Sequence, residues 1–466
     1  MPSWSTHATS NPPPFSCPPD EPAESIAYVA LAGDGGGRRD GIAVLDTDQT
    51  SATFGQIVSR VEFPHEKNGL RHIGWNACGP RARADASHDR VERRYLIVPG
   101  LESSHIHVVD TKPDPRVPRL VKVIDGAEVA HRTGYSAPHS VRCGPDGVYV
   151  SALGSADGEG PGGILTLHPE TFDVEAAWER DRGPQRLASD LHWHDRHGVM
   201  ITSEWGTPNM VRRGVSSELL VAGSYGRSLH VWDAHARSHA QTIDLGAEQQ
   251  MVLRLRPAHN PARAYGFAGA ALSLGDLSAS VFLWYLGCDA NGRRGEWQAR
   301  KVITIRARPA DPSRLPPMLR DVALVPPLIT DVNLSPCDRW LFVSCWGTGE
   351  LRRYDVADPF SPVLTGMVRL GGIVRRTPHQ GSPATPRNGG PQMTTVSADG
   401  RRLYVTNALY APWDDQFYPD GIAGWVAKVD ADPVGGLRVD PRFLVGFEPG
   451  FRAHQVALRD GSGATS

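Results

Sequence analysis

The sequence predicts an all-β fold, a seven-bladed β-propeller, because one strand pattern recurs along the chain and its turns carry suitable residues. Short apolar strands, most of them ending in Asp, recur at intervals of roughly 50 to 75 residues. This interval suits blades of four antiparallel strands joined by loops of uneven length. No long stretch has helical periodicity. The seven segments are 44–46, 108–110, 165–167, 231–233, 283–285, 353–355 and 428–430.

The turns inside the predicted blades support the strand assignment. The sequences SPCD at 335–338 and SADG at 397–400 each separate two strand-like runs, and PDG at 145–147 does so more weakly. Pro and Asp preset the turn backbone, and Gly accepts a positive φ. The run RLYVT at 402–406 has the β-branched and aromatic content of a pleated, partly buried strand.

The domain organisation follows from the repeat rather than from the length. A chain of 466 residues would otherwise suggest two or three domains. We predict a disordered, Pro- and Ser-rich lead at 1–24, one propeller at 25–458 and a flexible tail at 459–466. Since an unpaired edge strand promotes aggregation, we expect the ring to close by pairing of 443–447 with 26–31.

Composition and charge exclude several classes of partner. The chain is 40% hydrophobic and 21% charged, with a formal net charge of −2 and no basic run. It therefore favours neither nucleic acid nor an anionic membrane, and the sequence does not identify a protein partner. There is no secretory signal and no apolar run of membrane-spanning length, so the cytoplasm is the expected compartment.

The six cysteines are scattered without CxxC spacing, so we expect neither a disulfide framework nor a zinc ribbon. Cys337 and Cys345 could face each other across a hairpin. Buried reduced thiols are the favoured interpretation of both residues.

Histidines are the residues in which we expect chemistry, because the chain has 18 of them and several lie in motif-like loops. Imidazoles from different blades can meet at the central axis of a propeller. A set of histidines, with an optional thiolate or thioether, suits copper or zinc rather than magnesium or calcium. The candidate segments are 70–78, 136–140 and 190–197, together with His259 and His454.

Each candidate also has an ordinary structural interpretation. A single loop histidine is more often a surface or capping residue than a ligand. His65 lies in polar surroundings and is expected to be solvated. His105 and His107 lie in a strand pattern and are expected to be hydrogen-bonded and half-buried. Trp205, in a Gly-rich turn, either packs between blades or walls a pocket.

Several segments together resemble the selenium-binding protein family, whose members include methanethiol oxidases. The resemblance extends from about residue 26 to residue 454, and the family's seven-bladed propeller agrees with the strand pattern. The segments are MITSEWGTPN at 200–209, YGRSLHVWD at 225–233, LITD at 328–331, GGPQM at 389–393, LYVTN at 403–407 and WDDQFYP at 413–419.

The resemblance implies an oxidase that converts methanethiol, dioxygen and water into formaldehyde, hydrogen sulfide and hydrogen peroxide at a copper centre. A small volatile thiol and dioxygen would then be the reaction partners, selected by a small enclosed cavity. Asp190 and Glu204 are the implied candidates for orienting an imidazole or for transferring a proton. The implied metal ligands are His72, His139, His194, His259 and His454.

Two departures from the family pattern keep other functions open. Family members usually have two successive histidines before Gly-Trp-Asn, where this chain has Arg71 and His72. The segment at 54–57 lacks the cysteine that carries selenium in animal relatives. The alternatives are therefore a non-catalytic selenium- or metal-binding propeller and a scaffold that docks another protein.

Overall fold

The predicted seven-bladed β-propeller is confirmed. The computed structural model describes residues 23–78, 91–144, 146–288, 294–379 and 382–459. It is 48% strand and 8% helix, arranged in seven blades. Residues 1–22 of the predicted lead and 460–466 of the predicted tail lie outside the described residues. None of the described helices is long and apolar enough to cross a bilayer.

The strands account for nearly all of the regular structure. In chain order they are β1 Ile26–Gly33, β2 Gly41–Asp46, β3 Ile57–Glu62, β4 Gly74–Trp75, β5 Tyr95–Pro99, β6 Ile106–Asp110, β7 Arg119–Ile124, β8 Tyr135–Gly144, β9 Gly147–Ser155, β10 Gly163–Leu167, β11 Val174–Ala177, β12 Leu191–His194, β13 Val199–Ser203, β14 Ser228–Asp233, β15 Ser238–Asp244 and β16 Gln249–Pro257. The remainder are β17 Tyr265–Ser273, β18 Ala279–Cys288, β19 Arg294–Ile305, β20 Arg308–Pro309, β21 Leu324–Val325, β22 Ile329–Leu334, β23 Trp340–Cys345, β24 Glu350–Asp355, β25 Val363–Arg369, β26 Thr377–His379, β27 Ser382–Arg387, β28 Thr394–Val396, β29 Arg402–Thr406, β30 Trp425–Ala431, β31 Leu437–Gly446 and β32 Phe451–Leu458.

Helices are few and short. The α-helices are α1 Gly126–Thr133, α2 Pro208–Arg212, α3 Ser217–Val221 and α4 Ala411–Phe417. In the described ranges, single turns of 3₁₀ helix are Asp195–His197, Pro312–Arg314 and Pro317–Leu319.

Each blade is a four-stranded antiparallel sheet. From the axis outward the blades are β32-β1-β2-β3, β4 to β7, β8 to β11, β12 to β15, β16 to β19, β22 to β25 and β28 to β31. The seven segments picked out by the sequence pattern all lie in the third strand of a blade: β2, β6, β10, β14, β18, β24 and β30.

The terminal Asp of these third strands has a structural cause. Asp46, Asp110, Asp233 and Asp355 each accept a hydrogen bond from the backbone N–H two residues further on, at 2.9 or 3.0 Å. This is the local bond by which Asp turns a chain at the end of a strand. The pattern therefore marks the turn that leads to the outermost strand of a blade.

The ring closes through β32, not through the segment predicted for this role. β32 pairs antiparallel with β1, with Ala27 opposite Leu458. Residues 443–446 lie instead in β31, the outermost strand of the last blade. β32, with the sequence FRAHQVAL, is buried along nearly its whole length.

The expectation that the cysteines form no disulfides was wrong. Cys78, after β4, is bonded to Cys143 in β8, with the Cα atoms 5.4 Å apart. Cys337 is also disulfide-bonded, whereas Cys345 is a buried free thiol whose pKa is raised to about 12 by burial.

Candidate metal centre

Three of the predicted histidines meet at the axis. His72 precedes β4, His139 lies in β8 and His454 lies in β32, the innermost strands of three successive blades. His454 Nε2 lies 3.1 Å from His72 Nδ1. The His72 ring is 4.6 Å from the His139 ring and 4.8 Å from the His454 ring, centroid to centroid. All three side chains are buried.

Backbone carbonyl groups orient two of these rings. His139 Nδ1 lies 3.1 Å from Ser189 O, and His454 Nδ1 lies 3.1 Å from Ala408 O. Since a carbonyl oxygen only accepts, each Nδ1 carries the hydrogen and donates it. The Nε2 atom of each ring is left with its lone pair, which is the arrangement that orients metal-binding histidines.

Met393 is the donor that sequence reasoning missed. Its Sδ lies 3.0 Å from His72 Nδ1, in the segment immediately before β28. It forms part of the GGPQM motif, which was used for the family resemblance and not for its thioether. A thioether beside imidazoles is a donor set that favours copper(I) over the hard cations.

The three central imidazoles are uncharged at neutral pH. Burial lowers the pKa of His72, His139 and His454 well below the usual value for histidine. The nearby Arg254 cation adds to this effect at each ring. Because a metal ion binds neutral imidazole, the cluster is already in its ligand form.

Arg71 occupies the place of the first of the two successive family histidines. Its Nη2 lies 3.2 Å from His139 Nε2, and its Nη1 donates to Leu409 O. The guanidinium lies 5.4 Å from the centres of the Trp205 and Tyr410 rings. Burial lowers the pKa of Arg71 to about 9, so it remains a cation at pH 7. His139 therefore gives its lone pair to Arg71 in this arrangement.

These contacts show which residues fit a copper ion. His72 Nδ1 lies 3.0 Å from the Met393 thioether and 3.1 Å from His454 Nε2, so two imidazoles and one thioether lie side by side. His139 would be a third histidine ligand only if its Nε2 bound the ion instead of accepting from Arg71. Imidazoles and a thioether are donors that suit copper. The Arg71 guanidinium lies beside this group of donors.

His194 and His259 are not brought to this cluster. His194 Nε2 lies 3.0 Å from Arg263 O, and His259 Nδ1 lies 2.9 Å from Asp338 Oδ1. His194 follows Ser189, which contacts His139, by five residues along the innermost strand. Only the last four of these residues form β12, and the His194 ring contacts Arg263 rather than a residue of the cluster. The sequence could not show this offset, because it depends on the alignment of strands between blades.

The two predicted catalytic carboxylates have other partners. Asp190 accepts from Arg142 Nη2 at 2.7 Å and lies 3.3 Å from Arg254 Nη1. Burial alone would raise the pKa of Asp190, but these arginines hold it below the usual value. Glu204 Oε1 lies 3.0 Å from His230 Nε2. Among the described residues, neither carboxylate contacts a central imidazole.

Trp205 has the packing role that was one of its two predicted alternatives, and it also lies beside the central histidines. It is fully buried in a hydrophobic cluster, with its ring centroid 5.3 Å from that of Trp413. The same ring lies 5.5 Å from His139 and packs on Arg71. Trp205 thus packs in the hydrophobic core and also contacts His139 and Arg71.

A cleft of about 860 Å³ reaches the cluster. Arg71, Leu409, Tyr410, Asp414 and His454 are among its lining residues. This volume is typical of sites for drug-sized ligands, which are much larger than methanethiol. The small enclosed cavity expected from the resemblance is therefore not what the structure shows, and selection of a small thiol would depend on the buried end beside His454.

Asp414 is the buried acid of this cleft. Its Oδ1 accepts from Leu409 N at 2.9 Å and from Tyr410 N at 3.3 Å. Its Oδ2 lies 3.3 Å from Arg452 Nε, without hydrogen-bond alignment. Burial raises the pKa of Asp414 to about 7, although the Arg452 cation opposes that shift.

We expect the Asp414→Asn variant to gain stability over the parent as pH rises from 4 to 7. The folded pKa of about 7 exceeds the unfolded value of 3.8. The protonated Asp414 therefore stabilises the folded protein fully below pH 3.8, and this stabilisation is lost as pH rises through 7. The loss in free energy of unfolding is on the order of 4 kcal/mol. Melting temperatures of both proteins across this range test it. A difference that is constant or shrinks with pH contradicts the assignment.

Comparison with known proteins assigns the chain to a family. A family model described as 56 kDa selenium-binding protein matches residues 9–466. The chain belongs to this family. It is 37% identical to the methanethiol oxidase of Xenopus tropicalis over 469 residues, covering 94% of each chain. It is 38% identical to that of Homo sapiens over 447 residues, covering 91% of this chain and 90% of the other.

A solved structure of the selenium-binding protein family has the same fold. The hypothetical selenium-binding protein ST0059 of Sulfolobus tokodaii superposes with a TM-score of 0.90 and is 46% identical, covering 95% of each chain. The family resemblance seen in the sequence is thereby confirmed, and the propeller described above is the family's fold.

Proposed function

We propose that the chain is a methanethiol oxidase that uses copper held by His72, His454 and Met393. The convergence of these three side chains on the axis carries the proposal, and the names of relatives that are 37 to 38% identical support it. In the reaction, methanethiol, dioxygen and water give formaldehyde, hydrogen sulfide and hydrogen peroxide. The carbon loses two electrons, its bond to sulfur breaks, and dioxygen takes up two electrons and two protons.

Copper would supply the path for electrons between sulfur and oxygen, which amino-acid side chains alone do not provide. The residues of the chain would position the substrate. Arg71 is a cation at the end of the cleft, where it would attract a thiolate and favour loss of the thiol proton. Asp414, with a pKa of about 7, is placed to take up a proton at neutral pH. Trp205 and Tyr410 would shield this end of the cleft from water.

The direct test is turnover by purified, copper-loaded protein. Methanethiol is supplied with dioxygen, and formaldehyde, sulfide and peroxide are each measured against the copper content. Equal yields of the three products, in proportion to bound copper, support the proposal. Bound copper without products would favour a metal-binding protein without turnover, and neither copper nor products would favour a docking scaffold.

We expect the Arg71→His variant to bind copper at least about tenfold more tightly than the parent. The change removes a cation, frees His139 Nε2 and adds an imidazole. Arg71→Leu is the matched control, since it removes the cation without adding a ligand, and its thiol KM should rise. Competition with a copper chelator measures the affinities. Unchanged affinity in both variants would show that Arg71 does not influence the metal.

A further inference from the structure

A second group of histidines lies away from the axis, between the first two blades. His65, His105 and His107 each place a ring nitrogen within 4.8 Å of the other two. His65 lies in the connection from β3 to β4, His105 immediately precedes β6, and His107 is the second residue of β6. Since β6 is the third strand of its blade, the group lies about 10 Å outward from the innermost strand.

His107 presents an unused lone pair. Its ring is fully buried and stacks on Phe63, with the ring centroids 4.2 Å apart. Its Nδ1 lies 3.3 Å from Val98 O, which can only accept, so Nδ1 carries the hydrogen. Its Nε2 is buried and has no hydrogen-bond partner among the described residues. A buried polar atom without a partner is costly, and a bound ion is one explanation.

His105, which is less buried than His107, also has a ring nitrogen without a hydrogen-bond partner among the described residues. Its Nδ1 is buried and lacks a hydrogen-bond partner in the part of the chain that the structure describes. Its Nε2 lies 3.8 Å from Asp125 Oδ2. A carboxylate behind one ring nitrogen favours the tautomer that leaves the other nitrogen free for a metal. The His65 ring lies 4.7 Å from the His105 ring and is exposed, so solvent ions can enter.

The two inner rings of the group are in the form that binds metal. Burial lowers the pKa of His107 to about 4 and also lowers that of His105. The prediction that His65 is solvated agrees with its exposure, but His107 is fully buried rather than half-buried.

We infer that His65, His105 and His107 form a site for one zinc ion, with a water molecule or small anion in the fourth position. Three imidazoles and one open position are a common zinc arrangement, and zinc bonds of about 2.0 to 2.1 Å hold ligand nitrogens about 3.3 Å apart. The exposed His65 can move inward to close the remaining gap. The ion would fasten the inter-blade connection to the second blade, independently of the axial cluster.

The test uses the full chain with His454→Ala, which weakens the axial cluster, after removal of metals by a chelator. Zn²⁺ and then Co²⁺ are added as the sole metals. We expect one zinc ion per chain, a rise in melting temperature with zinc, and the visible absorption of tetrahedral Co²⁺. Adding His65→Asn or His105→Asn should weaken zinc binding by more than about 100-fold and remove all three signals.

His235→Asn is the matched control, because His235 is exposed on a different blade and should leave every signal unchanged. His65 is also exposed, so its replacement leaves the metal-free melting temperature unaltered and separates loss of binding from loss of folding. Absence of zinc uptake by the His454→Ala chain would overturn the inference. So would unchanged zinc affinity in both histidine variants. Copper content and turnover of the parent chain are measured separately. Failure of the proposed oxidase activity is thereby distinguished from failure of the zinc-site inference.

Discussion

The His454→Ala variant is expected to lose most of its bound copper and to oxidise methanethiol at least about 100-fold more slowly than the parent. His454 Nε2 lies 3.1 Å from His72 Nδ1, and its Nδ1 is fixed by Ala408 O. Removing the ring deletes one of the two closest imidazoles. The blade itself is held by the backbone pairing of β32 with β1, so the fold should persist. Elemental analysis, product assays and a melting curve measure these effects.

The control for this experiment is His194→Ala. The resemblance implied that His194 is a ligand, but its Nε2 lies 3.0 Å from Arg263 O and not beside the central histidines. We expect this variant to keep its copper and its activity. Full copper content in His454→Ala, or loss of copper in His194→Ala, would contradict the assignment of the cluster.

The Asp190→Asn variant is expected to lose about 3 to 5 kcal/mol of its free energy of unfolding. Asp190 is fully buried and contacts both Arg142 and Arg254. Arg254 Nε also lies 3.3 Å from Asp331 Oδ1, so a single carboxylate would remain for the two arginines. Removing the Asp190 carboxylate leaves a buried arginine charge uncompensated. The resulting loss in free energy of unfolding is larger than the stabilisation that the ion pair contributed. Denaturant unfolding of parent and variant measures the loss.

Asp233→Asn is the matched control, because Asp233 is exposed and its Oδ1 contacts can be kept by an amide. It should change stability by less than about 0.5 kcal/mol. Adding Arg142→Met to Asp190→Asn should recover part of the loss, since an apolar side chain removes the unpaired charge. A loss below about 1 kcal/mol in Asp190→Asn alone would show that the network is not structural.

The fold could be predicted because its signal is local. Asp46, Asp110, Asp233 and Asp355 bond to their own turns, and that bond recurs in four of the seven blades whatever the loop length. Closure of the ring was predicted wrongly because it depends on pairing between the two ends of the chain. No local pattern distinguishes β32 from another strand in that role.

The candidate site was predictable only in part. Motif positions pointed to His72, His139 and His454, which the structure brings together. His194 was implied by the same resemblance, yet it lies further along its strand. Met393 was overlooked because a single thioether carries no spacing signal. Which side chains share one level of the axis is set by the alignment of strands between blades, and the sequence alone does not contain it.

The most direct test of the central claim is a map of anomalous scattering, collected at the copper absorption edge from crystals of the copper-loaded protein. We expect one strong peak within bonding distance of His72, His454 and Met393. A peak elsewhere, or copper-loaded crystals without a peak at these three side chains, would contradict the assignment of the axial cluster as the copper centre.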